Sequence, residues 1–207
     1  MPNKNRVFAG ALIALVMLTG PAAAFSSVDL SNPAFAPTTG PTSIPIGAAE
    51  FCKTHREDCG PSAGAVDVEP LTEAGWRQLV AINDAINTSV VPVTDSDLYR
   101  VTEFWTYPAG SGDCEDFALE KRRQLIANGW NPSALLMTVV RQQNGEGHAV
   151  LMVRTDRGDL VLDNQDGLVR LWNETPYQFL KRQSQANAGE WEQIEDSRTV
   201  LAVASTN

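Results

Sequence analysis

Histidine is nearly missing from this sequence. There are two among 207 residues, beside three cysteines, so chemistry that needs an imidazole base rests on His55 or His148. Positive charge is scarce too: 16 Lys and Arg stand against 25 Asp and Glu, a formal net charge of −9. A chain this acidic repels phosphate backbones, so nucleic acid is not an expected partner, whereas divalent cations are tolerated. After residue 24 no apolar run approaches the roughly 20 residues of a bilayer span, and no internal repeat is visible.

The first two dozen residues read as a secretory signal peptide. Lys4 and Arg6 precede the apolar run Val7 to Leu18, Thr19-Gly20-Pro21 breaks it, and Ala22-Ala23-Ala24 supplies the small residues of a cleavage site. The run is too short for a membrane anchor. The expected organisation is a signal peptide over 1–24, a Pro-rich extended leader over 25–49 and one folded domain over 50–207, in a protein that is periplasmic or secreted. Pro33, Pro37, Pro41 and Pro45 forbid helix in the leader and disfavour a central strand.

Export sets the redox context. Cys52 and Cys59 sit close enough for a small disulfide loop, and an oxidising compartment favours that bond. A zinc site at Cys52, His55 and Cys59 lacks a clear fourth ligand, and His55 reads as a solvated loop residue. The arithmetic leaves Cys114 as the free thiol.

Helical periodicity runs from Trp76 to Val90, with Thr72 as N-cap and Pro92 beyond the end; Asn83 and Asn87 fall on or beside its apolar stripe and need partners. Residues 94–113 read as an irregular connection. Its aromatic cluster, Phe104-Trp105-Thr106-Tyr107, fits core or the wall of a cleft equally well. A second helix is expected over 113–128, with Phe117, Ala118, Leu125 and Ile126 inward, Lys121, Arg122 and Arg123 toward water, and Gly129 ending it. Strands are expected over 134–141, 148–154, 160–163, 168–172 and 199–204, with a short helix over 177–185. Helices followed by an antiparallel meander indicate an α+β fold.

Chemistry concentrates at Gly112-Asp113-Cys114-Glu115-Asp116. With Asp113 as N-cap, Cys114 falls in the first turn, where unpaired N–H groups and the helix dipole favour a thiolate and can hold an oxyanion. The neighbouring carboxylates oppose the thiolate. Either they only cap and complement the helix start, or Asp113 and Glu115 bind a divalent cation, for which oxygen ligands favour calcium.

His148 is the available base. The loop Thr155-Asp156-Arg157-Gly158 makes a hairpin of the strands on either side. A two-residue loop pairing Arg154 with Arg157 sets His148 opposite Asp163; a four-residue loop leaves the two diagonal on one face. Asp163 is therefore the favoured acid to orient the imidazole, ahead of Asp166, Asp159 and Glu146. Cys114, His148 and Asp163 form a nucleophile, base and orienting acid.

The segments Gly112 to Ala118, Gly147-His148-Ala149-Val150-Leu151 and Leu162-Asp163-Asn164, in this order and spacing, resemble the bacterial transglutaminase-like cysteine proteinases, of which the periplasmic LapG-type proteases are best understood. The resemblance covers about residues 50 to 185. It implies a papain/transglutaminase-like core, with N-terminal helices packed on an antiparallel β-sheet. It implies an exported cysteine peptidase with Cys114, His148 and Asp163 as catalytic residues and Asp113 and Glu115 as calcium-binding acids. The expected course is thiolate attack on an amide carbonyl, an oxyanion held by the Cys114 N–H and a donor from the 105–112 loop, and a thioester then hydrolysed by water. The resemblance further implies a protein substrate such as a cell-surface adhesin, a link to biofilm release and an inner-membrane regulatory receptor as partner. The same triad also serves a transglutaminase or a cell-wall amidase, and a binding module with a vestigial triad is the non-enzymatic alternative.

Overall fold

The computed structural model describes residues 28–198. The signal-peptide segment and the strand expected over 199–204 lie outside the described residues. In chain order the elements are β1 (Thr38–Thr42), α1 (Ile46–Thr54), α2 (Glu73–Ser89), β2 (Val91–Pro92), α3 (Asp95–Leu98), β3 (Ser111–Gly112), α4 (Cys114–Ala127), β4 (Leu135–Arg141), β5 (Gly147–Thr155), β6 (Gly158–Leu162), β7 (Arg170–Leu171), β8 (Gln178–Gln183) and β9 (Trp191–Ile194). Seven strands form one antiparallel sheet in the order β1-β9-β8-β4-β5-β6-β7. The fold is α+β, with α4 packed on the sheet and α2 packed on α4.

β4 and β5 occupy the middle of the sheet because their sequences are apolar on both faces. Leu135, Met137, Leu151, Val153, Leu160 and Leu162 face the helices, meeting Leu79, Leu119, Leu125 and Trp105. Leu136, Val140, Val150 and Met152 face the other way, against Trp172, Tyr177 and Phe179. Each such buried side chain contributes roughly 1.5–3 kcal/mol. Trp105 is thus core, and Phe104 is exposed.

Part of the Pro-rich stretch belongs to the sheet. β1 pairs with β9 at the sheet edge, where proline costs no ladder bond, and α1 begins directly after Pro45. Thr72 caps α2 by accepting from the Gly75 N–H at 3.0 Å. Asn83 donates to the carbonyls of Asp166 and Gly167, and Asn87 to that of Asp163 at 2.8 Å, so both asparagines hold a loop distant in sequence.

Three local expectations change. Residues 178–183 form strand β8, where a helix over 177–185 was expected. Between β9 and β4 the strand's polar residues find fixed partners: Lys181 donates to the Ser43 carbonyl, and Arg182 lies 3.4 Å from Asp159. The strand over 168–172 shrinks to Arg170–Leu171, followed by a 3₁₀ turn at Trp172–Glu174. Lys121 and Arg122, expected in water, are buried. A helix enclosed by a sheet on one side and another helix on the other has little solvent face left. Arg122 accordingly donates to the Leu135 carbonyl and lies 3.6 Å from Asp58.

Candidate active site

The start of α4 is fixed by a small parallel pair. β2 runs beside β3, and the Val93 N–H donates to the Gly112 carbonyl at 2.9 Å. Gly112 is required there, because a Cβ would come within 2.5 Å of the Asp116 carboxylate. Asp113 occupies the N-cap position of α4 without capping it by its side chain; its carboxylate instead accepts from the Asp95 N–H at 3.2 Å. At the other end Gly129 adopts φ +93°, as a helix stop requires.

Cys114 is the first residue of α4 and is half-buried. Its thiol donates to Glu115 at 3.1 Å, and its sulfur accepts the Ala149 N–H at 3.4 Å. That second contact ties the helix start to β5, next to His148. The two residues line a cleft of about 240 Å³, flanked by Val93 and Thr94 on one side and by Gln142 and Gln165 elsewhere. The 105–112 loop does not line this cleft, and its Thr106 N–H is taken by Asp116.

His148 is buried, and its Nε2 lies 2.9 Å from Asp163 Oδ1. The hairpin register pairs Leu151 with Leu162 and Thr155 with Gly158, which sets His148 and Asp163 on the diagonal. The Gln165 N–H also donates to Asp163 Oδ1 at 2.9 Å, and the Tyr177 hydroxyl donates to Oδ2. Burial alone would raise the Asp163 carboxyl, but the bonds from His148, Gln165 and Tyr177 outweigh it and hold the group below the ordinary carboxylate value.

The thiol is in the opposite position. Burial pushes Cys114 well up, and the Glu115 charge and hydrogen bond push it further, with only the Ala149 N–H pulling down. Glu115 is itself raised, first by burial and then by Asp113. Of the carboxylates flanking the sulfur, Glu115 is the one that touches it.

Asp113 and Asp116 turn toward Asp95. Carboxylate oxygens of these three residues lie within 4.8 Å of one another. Asp95 Oδ1, Asp113 Oδ1 and Asp116 Oδ2 are buried and have no hydrogen-bond partner among the described residues. Burial raises Asp95 to about 6, with the charges of Asp113 and Glu103 adding to it, and raises Asp116 to about 7, with those of Asp113 and Asp95 adding. Three orphaned hard oxygens facing one another fit a divalent cation such as calcium. The structure thus brings Asp113 into the acidic cluster and sets Glu115 against the thiol. Asp95 and Asp116 had not been singled out as ligands. Asp116 had a signal, since positions i and i+3 share a helix face while i and i+2 do not; Asp95 comes from a separate element and had none.

Other titratable groups clarify the surroundings. Cys52 and Cys59 are joined in a disulfide. His55 stacks on Phe51 with ring centroids 4.2 Å apart, where a solvated loop residue was expected. Lys121 is 0 % exposed, and burial lowers its ammonium to about 7 against the opposing pull of Asp163. No helix among the described residues is long and apolar enough to cross a membrane.

None of the curated proteins matches the chain. Among solved structures, Legionella pneumophila LapG is similar at 25% identity, with a TM-score of 0.45 over 52% of this chain and 64% of that one. Its EGTA-treated form matches at 25% identity and a TM-score of 0.49, covering 59% and 72% of the two chains. Its calcium-bound form matches at 20% identity and 0.47, covering 66% and 83%. The family model of the bacterial transglutaminase-like cysteine proteinases matches residues 38–199. By that match, over most of its length, the chain belongs to the bacterial transglutaminase-like cysteine proteinase family, and so to the cysteine peptidases.

Proposed function

We propose that the chain hydrolyses a peptide bond of a protein substrate, with Cys114 as nucleophile, His148 as general base and Asp163 as the acid that orients the base. The observation that carries this reading is the chain of contacts at one cleft. Asp163 holds His148 Nε2 at 2.9 Å, and the neighbouring Ala149 N–H holds the Cys114 sulfur at 3.4 Å.

With Nε2 engaged by Asp163, Nδ1 is the ring nitrogen left to take the thiol proton. The Cys114 thiolate attacks the amide carbonyl, and the first-turn N–H groups of α4 stabilise the developing oxyanion. Collapse of that intermediate breaks the C–N bond, and the imidazolium gives its proton to the leaving amine. Water, deprotonated by His148, then hydrolyses the thioester and restores the thiol.

Asp95, Asp113 and Asp116 would hold calcium, with Glu115 close by. When bound, the ion supplies positive charge beside the helix start, which offsets the carboxylates that oppose the thiolate. Asp113 and Glu115 were the acids expected from the family resemblance; the orphaned oxygens add Asp95 and Asp116 to the set.

The N-terminal segment and the disulfide support export to the periplasm or beyond. Within that setting the substrate is an exported protein, with a cell-surface adhesin as the leading candidate and an inner-membrane receptor as a regulator. The test incubates the mature protein with candidate adhesins, with calcium and with a chelator, beside a Cys114→Ala control. Calcium-dependent cleavage by the wild type alone supports the reading. Cleavage that persists in Cys114→Ala overturns it.

A further inference from the structure

One buried group has no part in the mechanism above. Lys121 lies on the same stripe of α4 as Cys114, at the i+7 position, with Phe117 and Ala118 between them. It is 0 % exposed, and its Nζ has no hydrogen-bond partner among the described residues. The ammonium sits 6.0 Å from the centre of the Phe117 ring, and that ring packs with Ile86 of α2 and with Val90 just beyond its end. A lysine in such surroundings is costly unless a negative charge faces it.

Asp163 is that charge. Its field acts on Lys121 from the neighbouring loop. The same loop is held by α2, through Asn83 at Asp166 and Gly167 and through Asn87 at the Asp163 carbonyl. Asn83 Oδ1 and Asn87 Oδ1 are buried acceptors with no partner among the described residues. Buried polar atoms without partners thus sit both on α4 and on α2, the helix that holds the Asp163 loop.

We propose that Lys121 is a positioning residue of the triad: a buried counter-charge behind Asp163 that, with Asn87, keeps the carboxylate aimed at His148. It touches neither substrate nor the reacting atoms. The proposal rests on the triad reading given above. It also accounts for an unpartnered lysine in a place where an apolar side chain would pack more favourably.

The test uses the mature chain with calcium at about pH 6, where Lys121 keeps its proton. Lys121→Met and Lys121→Gln remove the charge at similar length; Lys121→Arg keeps it; Asp163→Asn is the control for the triad. Two readouts follow the site: the rate of Cys114 alkylation by iodoacetamide, and the NMR resonance of the His148 Nε2–H, easily assigned in a chain with two histidines. Met and Gln are expected to slow alkylation about tenfold and to move the resonance, with a Tm equal to or above wild type, while Arg preserves both readouts. A purely structural lysine would lower Tm and leave the resonance in place. If Asp163→Asn loses both readouts while Met and Gln keep them, this inference alone falls. If Asp163→Asn also keeps them, the triad reading falls with it. If Arg loses both as fully as Met, the charge is not what matters and the proposal is overturned.

Discussion

The Tyr177 hydroxyl donates to the Asp163 oxygen that His148 leaves free. Both carboxylate oxygens of Asp163 are therefore occupied, one by His148 and one by a phenol from just before β8. The Tyr177 ring also lies against the imidazole, with centroids 5.3 Å apart. Burial and the Asp163 bond hold its hydroxyl protonated, so it acts as a donor throughout. Tyr177→Phe should keep the packing and release the carboxylate to rotate. Losing a hydrogen bond to a charged group on this scale should lower the peptidase rate about tenfold. Progress curves on any protein or peptide that the wild type cleaves measure it, and an unchanged rate would remove Tyr177 from the site.

The acidic cluster predicts a sign reversal. Without calcium, Asp95→Asn and Asp116→Asn each remove one of three clustered carboxylates that repel one another, while the amide oxygen still accepts the Phe104 or Thr106 N–H. These variants should then be as stable as wild type or more so. Saturating calcium should raise wild-type stability by about 2.7 kcal/mol at a hundred times its Kd, and most of that gain should vanish in either variant. Thermal unfolding with calcium and with EGTA reads both effects.

Lys121 carries a pH signature in stability. Its folded-state value of about 7 lies below the ordinary 10.5. Below pH 7 it is charged in both states, and the whole cost of burial is present. Between 7 and 10.5 the unfolded chain holds a proton that the folded chain has released, so wild-type stability rises with pH across that window. The advantage of Lys121→Met should be largest in the acid range and shrink upward. Urea unfolding of both proteins at about pH 6 and about pH 9 tests the sign; an advantage that grows with pH contradicts it.

The disulfide staples α1 to the 3₁₀ turn at Arg56–Asp58, and Asp58 in turn accepts from Tyr107 and lies near Arg122. Closing a loop this short is worth roughly 2–3 kcal/mol by chain entropy. Cys52→Ser with Cys59→Ser should lower stability by about that amount and leave the triad geometry intact. A loss of activity that exceeds the loss of folded protein would show that the loop also shapes the site.

The meeting of Cys114, His148 and Asp163 was legible because each residue carries a local sign. Cys114 is the odd cysteine at a helix start, His148 follows a glycine-rich turn, and Asp163 follows from strand alternation across a hairpin. The acidic cluster was only half legible, since Asp95 comes from α3, and nothing in its own neighbourhood marks it as joining Asp113. Lys121 and Arg122 read as solvated because charge usually is; their burial follows from the enclosure of α4, a tertiary fact. β8 was hidden by the same habit, as its lysine and arginine find partners only once β1, β4 and β6 are in place.

The central claim is that His148 activates Cys114. The most direct measurement is the second-order rate of Cys114 alkylation by iodoacetamide, in calcium, for wild type and His148→Ala. With Cys52 and Cys59 bonded, a single thiol reports. The account predicts labelling at least tenfold slower in His148→Ala, because the base that takes the thiol proton is gone. Equal rates in the two proteins would contradict it.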